Sequence, residues 1–194
     1  MGSVRLYGAT SGYLELQAPD VAPDSTLVLP SDSLQPGLVH LHTESFSAKS
    51  SVSVDDVFSS TYDFYRILIS LLGSTAITYS LRLRASGTDA SGANTYKYQE
   101  AEVYSSSTSN NARSENFIRL GWSDSSKRGT TTLDVFGPNL AATTGFNVPL
   151  GGRFDDAASF IGEHTVASAY DGFTIFPSSG TITGTLRVYG YRNS

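Results

Sequence analysis

Short runs of alternating apolar and polar residues fill most of the chain after residue 36. In ITYSLRLRA, the apolar residues Ile77, Tyr79 and Leu81 share one face of an extended strand, and the polar residues between them take the other. Successive side chains of a strand point to opposite faces, so a period of two predicts strands with one buried face. The other runs with this pattern are GLVHLHTE, YRILIS, TYKYQEAEVY, FIRLGWS, TTTLDVFG, FIGEHTVAS, FTIFP and TLRVYGY.

Turn-forming residues separate these runs and indicate the fold class. The turn signals are Ser86–Asp89, Ser91-Gly92, Ser125–Gly129, Gly151-Gly152 and Ser178–Gly180. Short strands with polar turns and almost no convincing helix favour an all-β fold, an antiparallel β-sandwich of jelly-roll type. The closing stretch, YDGFTIFPSSGTITGTLRVYGYRN, is interpreted as a β-hairpin whose last strand closes a sheet and buries aliphatic side chains.

The first 36 residues have a different pattern. In GYLELQAPDVAPDSTLVLPSDSLQP, four prolines interrupt short apolar pieces. Proline fixes φ, favours an extended predecessor and cannot donate to a sheet ladder. We therefore expect an extended arm over residues 1–36, with one short strand near Thr26–Leu29, and a single sandwich domain over residues 37–194. The arm is too apolar for a free linker, so we expect a homotrimer in which the three arms pack along a common axis or each arm packs on a neighbouring chain.

Composition narrows the classes of function. The chain has 30 Ser and 19 Thr but only 16% charged residues, a balance that suits strands with polar connections. Its net charge is −5, and no basic cluster exceeds the Lys127-Arg128 pair, so we expect no nucleic-acid partner. Cys is absent, which removes disulfides and thiolate metal sites. The most apolar run, Ile67–Leu72, is too short to span a bilayer, so we expect no membrane insertion.

Two histidines form the sharpest polar feature. His40 and His42, in LVHLHTE, are predicted to point to the same face of a strand. If they met symmetry mates on a trimer axis, their imidazoles would suit a transition metal. The sequence assigns no carboxylate to orient them, so we expect a solvated or interfacial strand face and no cofactor.

Residues for catalysis show no specific arrangement. His164, Glu163 and the pair Asp155-Asp156 combine with almost any of the 30 serines, so no such combination is informative. Glycosidases use two carboxylates, but Glu100 and Glu102 fall on one strand face and are expected to be solvated. Nucleophile-elbow, zinc-protease and phosphate-loop motifs are absent, and we expect no enzyme.

The middle of the chain is more suggestive of binding. The segment between Tyr104 and Phe117, SSSTSNNARSEN, is the longest stretch without alternation, so we predict a long polar loop. Tyr, Ser and Asn combine rigid contact area with adaptable hydrogen bonds, as in recognition loops. The alternative is an ordinary Ser-rich loop over a core Trp. The candidate binding residues are Tyr98, Tyr104, Asn110, Asn111, Arg113 and Trp122.

Two segments resemble a known family. SSVSVDDVFSSTYDFYRILIS (Ser50–Ser70) is similar to a "VFSSxYDxYRI" element, and the closing stretch from Tyr170 is similar to a "GFTIxPxxGTITGxxxVYGY" cassette. Both elements are typical of a small β-domain at the C-terminal ends of tailed-bacteriophage tail fibre and minor structural proteins. The leader GYLELQAPDVAPDSTLVLP is a weaker likeness, and Thr88–Ala158 has none.

The resemblance implies a virion component, commonly trimeric, assembled in the host cytoplasm. It implies variable loops that face the host, and no catalytic residues. We therefore expect host attachment by binding, with a surface glycan as the ligand and residues 1–36 as the contact to other virion proteins. Two alternatives stay open: a capsid or head-fibre decoration or connector protein without receptor binding, and a carbohydrate-binding module.

Overall fold

The computed structural model describes residues 3–7, 13–17, 37–104, 107–153 and 156–192. The backbone divides into two compact units, Met1–Gln35 and Pro36–Ser194. Within the described ranges all regular structure is β-strand. In these same residues, no helix has the length and apolar character needed to cross a membrane.

The described residues of the first unit form a hairpin. Strand β1 (Ser3–Tyr7) pairs antiparallel with β2 (Tyr13–Gln17). The first proline of the arm, Pro19, follows both strands, so proline does not interrupt their ladder. The short strand predicted at Thr26–Leu29 lies outside the described residues.

The described part of the second unit contains thirteen strands, which make two sheets. Their bounds are β3 (Leu38–Lys49), β4 (Val52–Val54), β5 (Phe64–Gly73), β6 (Ile77–Ala85), β7 (Thr88–Asp89), β8 (Tyr96–Tyr104), β9 (Ser107–Glu115), β10 (Ile118–Ser123), β11 (Gly129–Phe136), β12 (Thr144–Arg153), β13 (Asp156–His164), β14 (Gly172–Pro177) and β15 (Ile182–Tyr191).

The two sheets form an antiparallel sandwich. The large sheet has the order β3-β15-β5-β11-β12-β13-β8-β9, and the small sheet has the order β10-β6-β14-β4, with β7 paired to β6. All neighbouring strands in both sheets are antiparallel. The predicted all-β sandwich is therefore confirmed.

The facing sides of the two sheets share one hydrophobic core. On β5 the alternation is complete, and Tyr65, Ile67 and Ile69 are buried while the residues between them are partly exposed. On β6, Tyr79 and Leu81 are buried as the sequence pattern predicts. Burying one such side chain contributes about 1.5–3 kcal/mol, so a slip of one residue would lose the contribution of every inward position.

The predicted closing hairpin is wrong, because β14 and β15 lie in different sheets. β14 sits between β6 and β4 of the small sheet, whereas β15 sits between β3 and β5 of the large sheet. Residues 178–181 cross between the sheets, and Gly180 has a φ of 64°, which favours glycine. Phe173 and Ile175 of β14 are buried, as is Leu186 of β15. The buried side chains of both strands belong to the same hydrophobic core, although the strands do not pair.

The two segments for which the sequence analysis stated a resemblance, Ser50–Ser70 and the closing stretch from Tyr170, pack against each other. β14 pairs with β4, and β15 pairs with β5 from Ile182↔Gly73 to Tyr191↔Phe64. The ring of Phe58 joins them in the core, with its centroid 4.7 Å from that of Tyr65 and 5.8 Å from that of Phe173. Segments more than a hundred residues apart in the chain therefore form one structural unit.

Close backbone approach in this unit requires glycine. A Cβ on Gly172 would lie 2.1 Å from the carbonyl oxygen of Val54, and one on Gly184 would lie 2.2 Å from that of Ser70. Both contacts are with backbone atoms of a neighbouring strand, which cannot move aside without breaking the ladder. The glycines of the closing cassette thus set how closely its strands approach the other segment.

The glycine pair predicted as a turn, Gly151-Gly152, lies inside β12 and pairs on both sides. Both ladders of β12 shift register near Pro149, so this strand has one residue more than its neighbours at that point. Proline has no backbone N–H to donate, and a β-bulge accommodates it. The glycine pair therefore continues a bulged strand instead of ending one.

Candidate functional site

The segment predicted as a long recognition loop contains an edge strand. β9 pairs with β8 without a register shift, from Tyr96↔Glu115 to Tyr104↔Ser107. It is the last strand of the large sheet, and none of its side chains is buried. A strand with both faces exposed needs no apolar alternation, which is why the sequence pattern indicated a loop.

Three of the six candidate binding residues lie on the inner face of the β8–β9 pair, which is the face turned toward the small sheet. They are Tyr98, Asn111 and Arg113. Directly opposed residues of antiparallel strands point to the same face. Tyr98 is opposite Arg113, and Glu100 is opposite Asn111. Tyr98 and Glu100 are both buried, which identifies this face as the inner one.

Two other candidates lie elsewhere on the hairpin. Asn110 is opposite Ala101, and both are exposed, so Asn110 points to the outer face. Tyr104 pairs with Ser107 at the end of the hairpin, and its side chain is outside the described set. The structure therefore does not bring all six candidates into one surface.

The aromatic candidates belong partly to the core. Tyr98 is 4% exposed, its ring centroid lies 6.1 Å from that of Phe160, and burial raises the pKa of its phenol. Trp122 is partly buried, also 6.1 Å from Phe160, and the guanidinium of Arg119 lies 5.8 Å from its ring centroid. Tyr98 is thus a core residue, whereas Trp122 borders solvent.

Glu100 is the buried charged centre of the hairpin, so the prediction of a solvated side chain is wrong. Its side chain has no exposed surface. Arg113 Nε donates to one carboxylate oxygen at 2.6 Å, and Arg119 Nη1 donates to the other at 2.9 Å. The bond to Glu100 raises the pKa of Arg113. Two guanidinium groups supply the pairing that a buried carboxylate needs.

Glu102 occupies the rim of the same cluster. Its carboxylate accepts a hydrogen bond from Ser109 Oγ at 3.1 Å and lies 3.4 Å from Arg119 Nη1. Partial burial, followed by the hydrogen bond to Glu100 and repulsion from it, raises the pKa of Glu102. The two carboxylates therefore have different roles, since Glu100 is held by two ion pairs, whereas the raised pKa of Glu102 favours its protonated form.

The inner face of β9 is open because the small sheet ends before it. β10, the last strand of that sheet, packs mainly over β12, with contacts to β11, β13 and β8. The surface left open beside it, which we call the β8–β9 ledge, comprises Glu102, Ser109, Asn111, Arg113, Arg119 and the bordering Trp122.

The ledge combines hydrogen-bonding groups that suit a hydroxyl-rich ligand. Arg113 and Arg119 carry N–H donors beyond those that bind Glu100, and the Asn111 amide both donates and accepts. The side chain of Asn111 is partly exposed. A ring such as that of Trp122 adds an apolar surface at the border.

The two histidines do not share a face. His42 is opposite Val188, but His40 is opposite Tyr189, because β3 carries Leu41 as an extra residue between them. Val188 is buried and Tyr189 is not, so the two rings point to opposite sides of the sheet. The prediction that His40 and His42 point to the same face of the strand is wrong, because the bulge at Leu41 separates them.

Separate contacts occupy these two rings. His40 Nε2 lies 2.7 Å from the hydroxyl of Thr43, and His42 Nε2 lies 3.5 Å from the carboxylate of Glu44. Across the described ranges, no three His, Asp or Glu side chains are grouped to hold a metal ion.

The third histidine is part of the core. His164 is 1% exposed, and its Nδ1 lies 3.1 Å from the hydroxyl of Tyr170. The ring of Tyr96 lies 4.3 Å away, and burial lowers the pKa of His164. Its polar atoms are used in packing between strands, so its role in the fold is structural.

The sequence reasoning missed Glu100 and Arg119 as paired residues. One signal was present: Glu100 has the same phase as Tyr96 and Tyr98 in YKYQEAEVY, so the alternation places it inward. An inward carboxylate requires a cation. The sequence does not identify Arg119 as that cation, because the contact depends on how β10 crosses the large sheet.

Comparison with known proteins adds no identification: no protein-family model matches the chain, and no curated protein matches it at a significant level.

Proposed function

We propose that the chain is a structural component of a tailed-phage particle, a fibre, tail-tip or head-fibre domain that contacts the host surface by binding. The observation that supports it most is the packing of the two phage-like segments, Ser50–Ser70 and Tyr170–Asn193. Their strands pair in both sheets, and the backbone approaches at Gly172 and Gly184 leave no space for a side chain. The residues that carry the resemblance are therefore those that define this part of the fold.

The β8–β9 ledge is the proposed host-facing surface. It lies at one edge of the sandwich, away from the unit formed by the phage-like segments, since β9 ends the large sheet while β15 and β5 lie near its other side. Its two guanidinium groups are held by the ion pairs with Glu100, which fix Arg113 and Arg119 while 30% and 20% of their side-chain surface stays exposed. A rigid strand pair loses less conformational entropy on binding than a long loop would. A surface glycan is the ligand class that its donors and acceptors fit.

A homotrimer is the proposed assembly, with residues 1–36 as the contact to other virion proteins. The support comes from the apolar residues of the arm, because a segment as short as residues 1–36 cannot form a hydrophobic core of its own. Packing them on another chain would contribute roughly 25 cal/mol per Å² of apolar surface buried. Trimeric display would also multiply weak contacts to a host surface through avidity.

Two adjacent asparagines allow a matched test of the ledge. Asn111 lies on the inner face of β9 and Asn110 on the outer face. Asn111→Ala should weaken binding of the domain to host cells by about 1–3 kcal/mol per site, because one polar contact is lost. Asn110→Ala, the same substitution one residue earlier, should leave binding unchanged. Neither asparagine is buried, so both variants should melt at the temperature of the parent protein.

Other results of this test would favour different functions. Unchanged adsorption with Asn111→Ala would contradict the ledge as host reader and favour a decoration or connector protein. Weaker binding with Asn110→Ala alone would place the reader on the outer face. Binding of soluble saccharides by a protein that is absent from any particle would favour a carbohydrate-binding module.

A further inference from the structure

The outer face of the large sheet has an open depression of about 490 Å³, on the opposite side of the sheet from the core. It spans β5, β11 and β12, and its lining includes Arg66, Leu68, Thr130, Thr132 and Pro149. The bulge at Pro149 accounts for its position, because an extra residue bends a strand away from its neighbours. Volumes of this order are typical of small-molecule sites.

One wall of the depression is an oriented guanidinium. Arg66 Nε and Nη2 donate to the two carboxylate oxygens of Asp134 at 2.7 and 2.8 Å. The Tyr191 ring centroid lies 5.6 Å from the Arg66 guanidinium carbon, and the bond to Asp134 raises the pKa of Arg66. A guanidinium has five N–H donors, so this bidentate pair leaves donors for a ligand while holding the group in place.

The other polar groups are hydroxyls. Thr130 and Thr132 are opposite Ser70 and Leu68 on β5, and all four lie on the outer face between buried neighbours. Neither threonine hydroxyl forms a hydrogen bond with another described residue, and each can both donate and accept. Leu68 and Pro149 provide apolar surface beside them.

This combination fits a sugar ring better than an anion or an apolar ligand. Asp134 already neutralises Arg66, which disfavours a site built for phosphate or carboxylate. The hydroxyls of a sugar can pair with Thr130, Thr132 and the remaining Arg66 donors, while its C–H surface packs on Leu68. An open depression also admits a residue within a longer saccharide chain.

We propose that this depression binds one or two sugar units of a saccharide through Arg66, Thr130 and Thr132. It is a second ligand site, separate from the β8–β9 ledge, and it rests on the proposed attachment function only for its biological use. The sugar binding itself follows from the groups at the site.

The test is a titration of the full chain, labelled with ¹⁵N, with maltose, lactose and N,N′-diacetylchitobiose in turn. At least one disaccharide should give saturable shifts in the amide signals of Arg66, Leu68 and residues 130–132. Thr132→Val removes one hydroxyl at nearly constant shape and should weaken that binding by about three- to tenfold. Thr108→Val, an exposed threonine on β9, is the matched control and should have no effect.

Each result decides the proposal. The absence of saturable shifts with all three disaccharides would overturn it, as would shifts confined to β8 and β9 or equal weakening by both valine variants. Localised shifts that only Thr132→Val reduces would support it. This outcome is independent of the Asn111→Ala adsorption result, so failure of the attachment function and failure of this site can be told apart.

Discussion

Neutralising the buried carboxylate of Glu100 should destabilise the protein, whereas neutralising its neighbour Glu102 should not. Glu100→Gln keeps the shape of the side chain but removes the charge that two guanidinium groups bind. Hydrogen bonds to charged groups contribute about 1.5–3 kcal/mol each, so the two bonds of Glu100 have a gross value of about 3–6 kcal/mol. Arg113 and Arg119 keep 30% and 20% of their side-chain surface exposed, so water recovers part of this loss.

The expected net cost of Glu100→Gln is therefore about 2–3 kcal/mol of unfolding free energy, below the 3–5 kcal/mol typical of a fully buried pair. For a domain of this size, 1 kcal/mol shifts the melting temperature by about 2–4 °C, so we expect a decrease of roughly 4–12 °C. The assay is calorimetry with urea unfolding as a second measurement. Glu163→Gln, at an exposed position of β13, controls for the loss of one negative charge.

Glu102→Gln tests whether the two carboxylates differ in their effect on stability. A carboxyl group whose pKa is raised in the folded state binds protons more tightly there than in the unfolded chain, so its contribution to stability falls as pH rises from about 4.5 through the raised pKa. At pH 7 the variant removes repulsion from Glu100, so we expect no loss of stability. A melting temperature for Glu100→Gln within 2 °C of the parent, as an order-of-magnitude threshold, or a larger loss for Glu102→Gln, would refute the assignment of roles.

Further expectations concern the packing of the segments Ser50–Ser70 and Tyr170–Asn193, the assembly and the histidines. Gly172→Ala places a Cβ 2.1 Å from a backbone oxygen and should cost about 1–3 kcal/mol or prevent folding, as measured by urea unfolding; wild-type stability would contradict the close approach. Tyr65→Phe removes a hydroxyl that accepts from the N–H of Ser59 at 2.7 Å and donates to its carbonyl at 2.8 Å. The variant should lose about 1–3 kcal/mol of unfolding free energy in the same assay. An unchanged midpoint would show that those bonds add little. Light scattering should give three times the chain mass of 20.7 kDa at micromolar concentration, and a monomer mass would exclude the proposed trimer. Elemental analysis after metal-free purification should find no stoichiometric transition metal, because His40 and His42 point to opposite faces; a metal that is lost with His40→Ala would contradict that geometry.

Sequence alternation predicted the strands that have one buried face. The run ITYSLRLRA corresponds residue for residue to β6, Ile77–Ala85, because burial of alternate side chains in the core stabilises this strand. β9 escaped the same reasoning, since neither of its faces is covered and its polar residues leave no periodic signal. The pattern also could not show that β14 and β15 lie in different sheets, because a buried strand has the same alternation in either sheet.

β-Bulges are one reason why alternation in the sequence did not predict the positions of the candidate site residues. Strict alternation would place His40 and His42 together, but one extra residue in β3 separates them. Similarly, the pair Gly151-Gly152 suggested a turn, whereas it continues the bulged strand β12, which borders the outer-face depression. The phase of Glu100 in YKYQEAEVY is that of the inward residues, but one of its two cations, Arg119, comes from the other sheet. Contacts between sheets depend on how the strands cross, which no local pattern contains.

The most direct test of the central claim is electron microscopy of intact phage particles labelled with an antibody fragment raised against residues 37–194. We expect the label on a projecting fibre, at the tail tip or on a head fibre, at several symmetry-related positions. An antibody fragment that binds the purified domain but labels no position on intact particles would contradict a role in the virion.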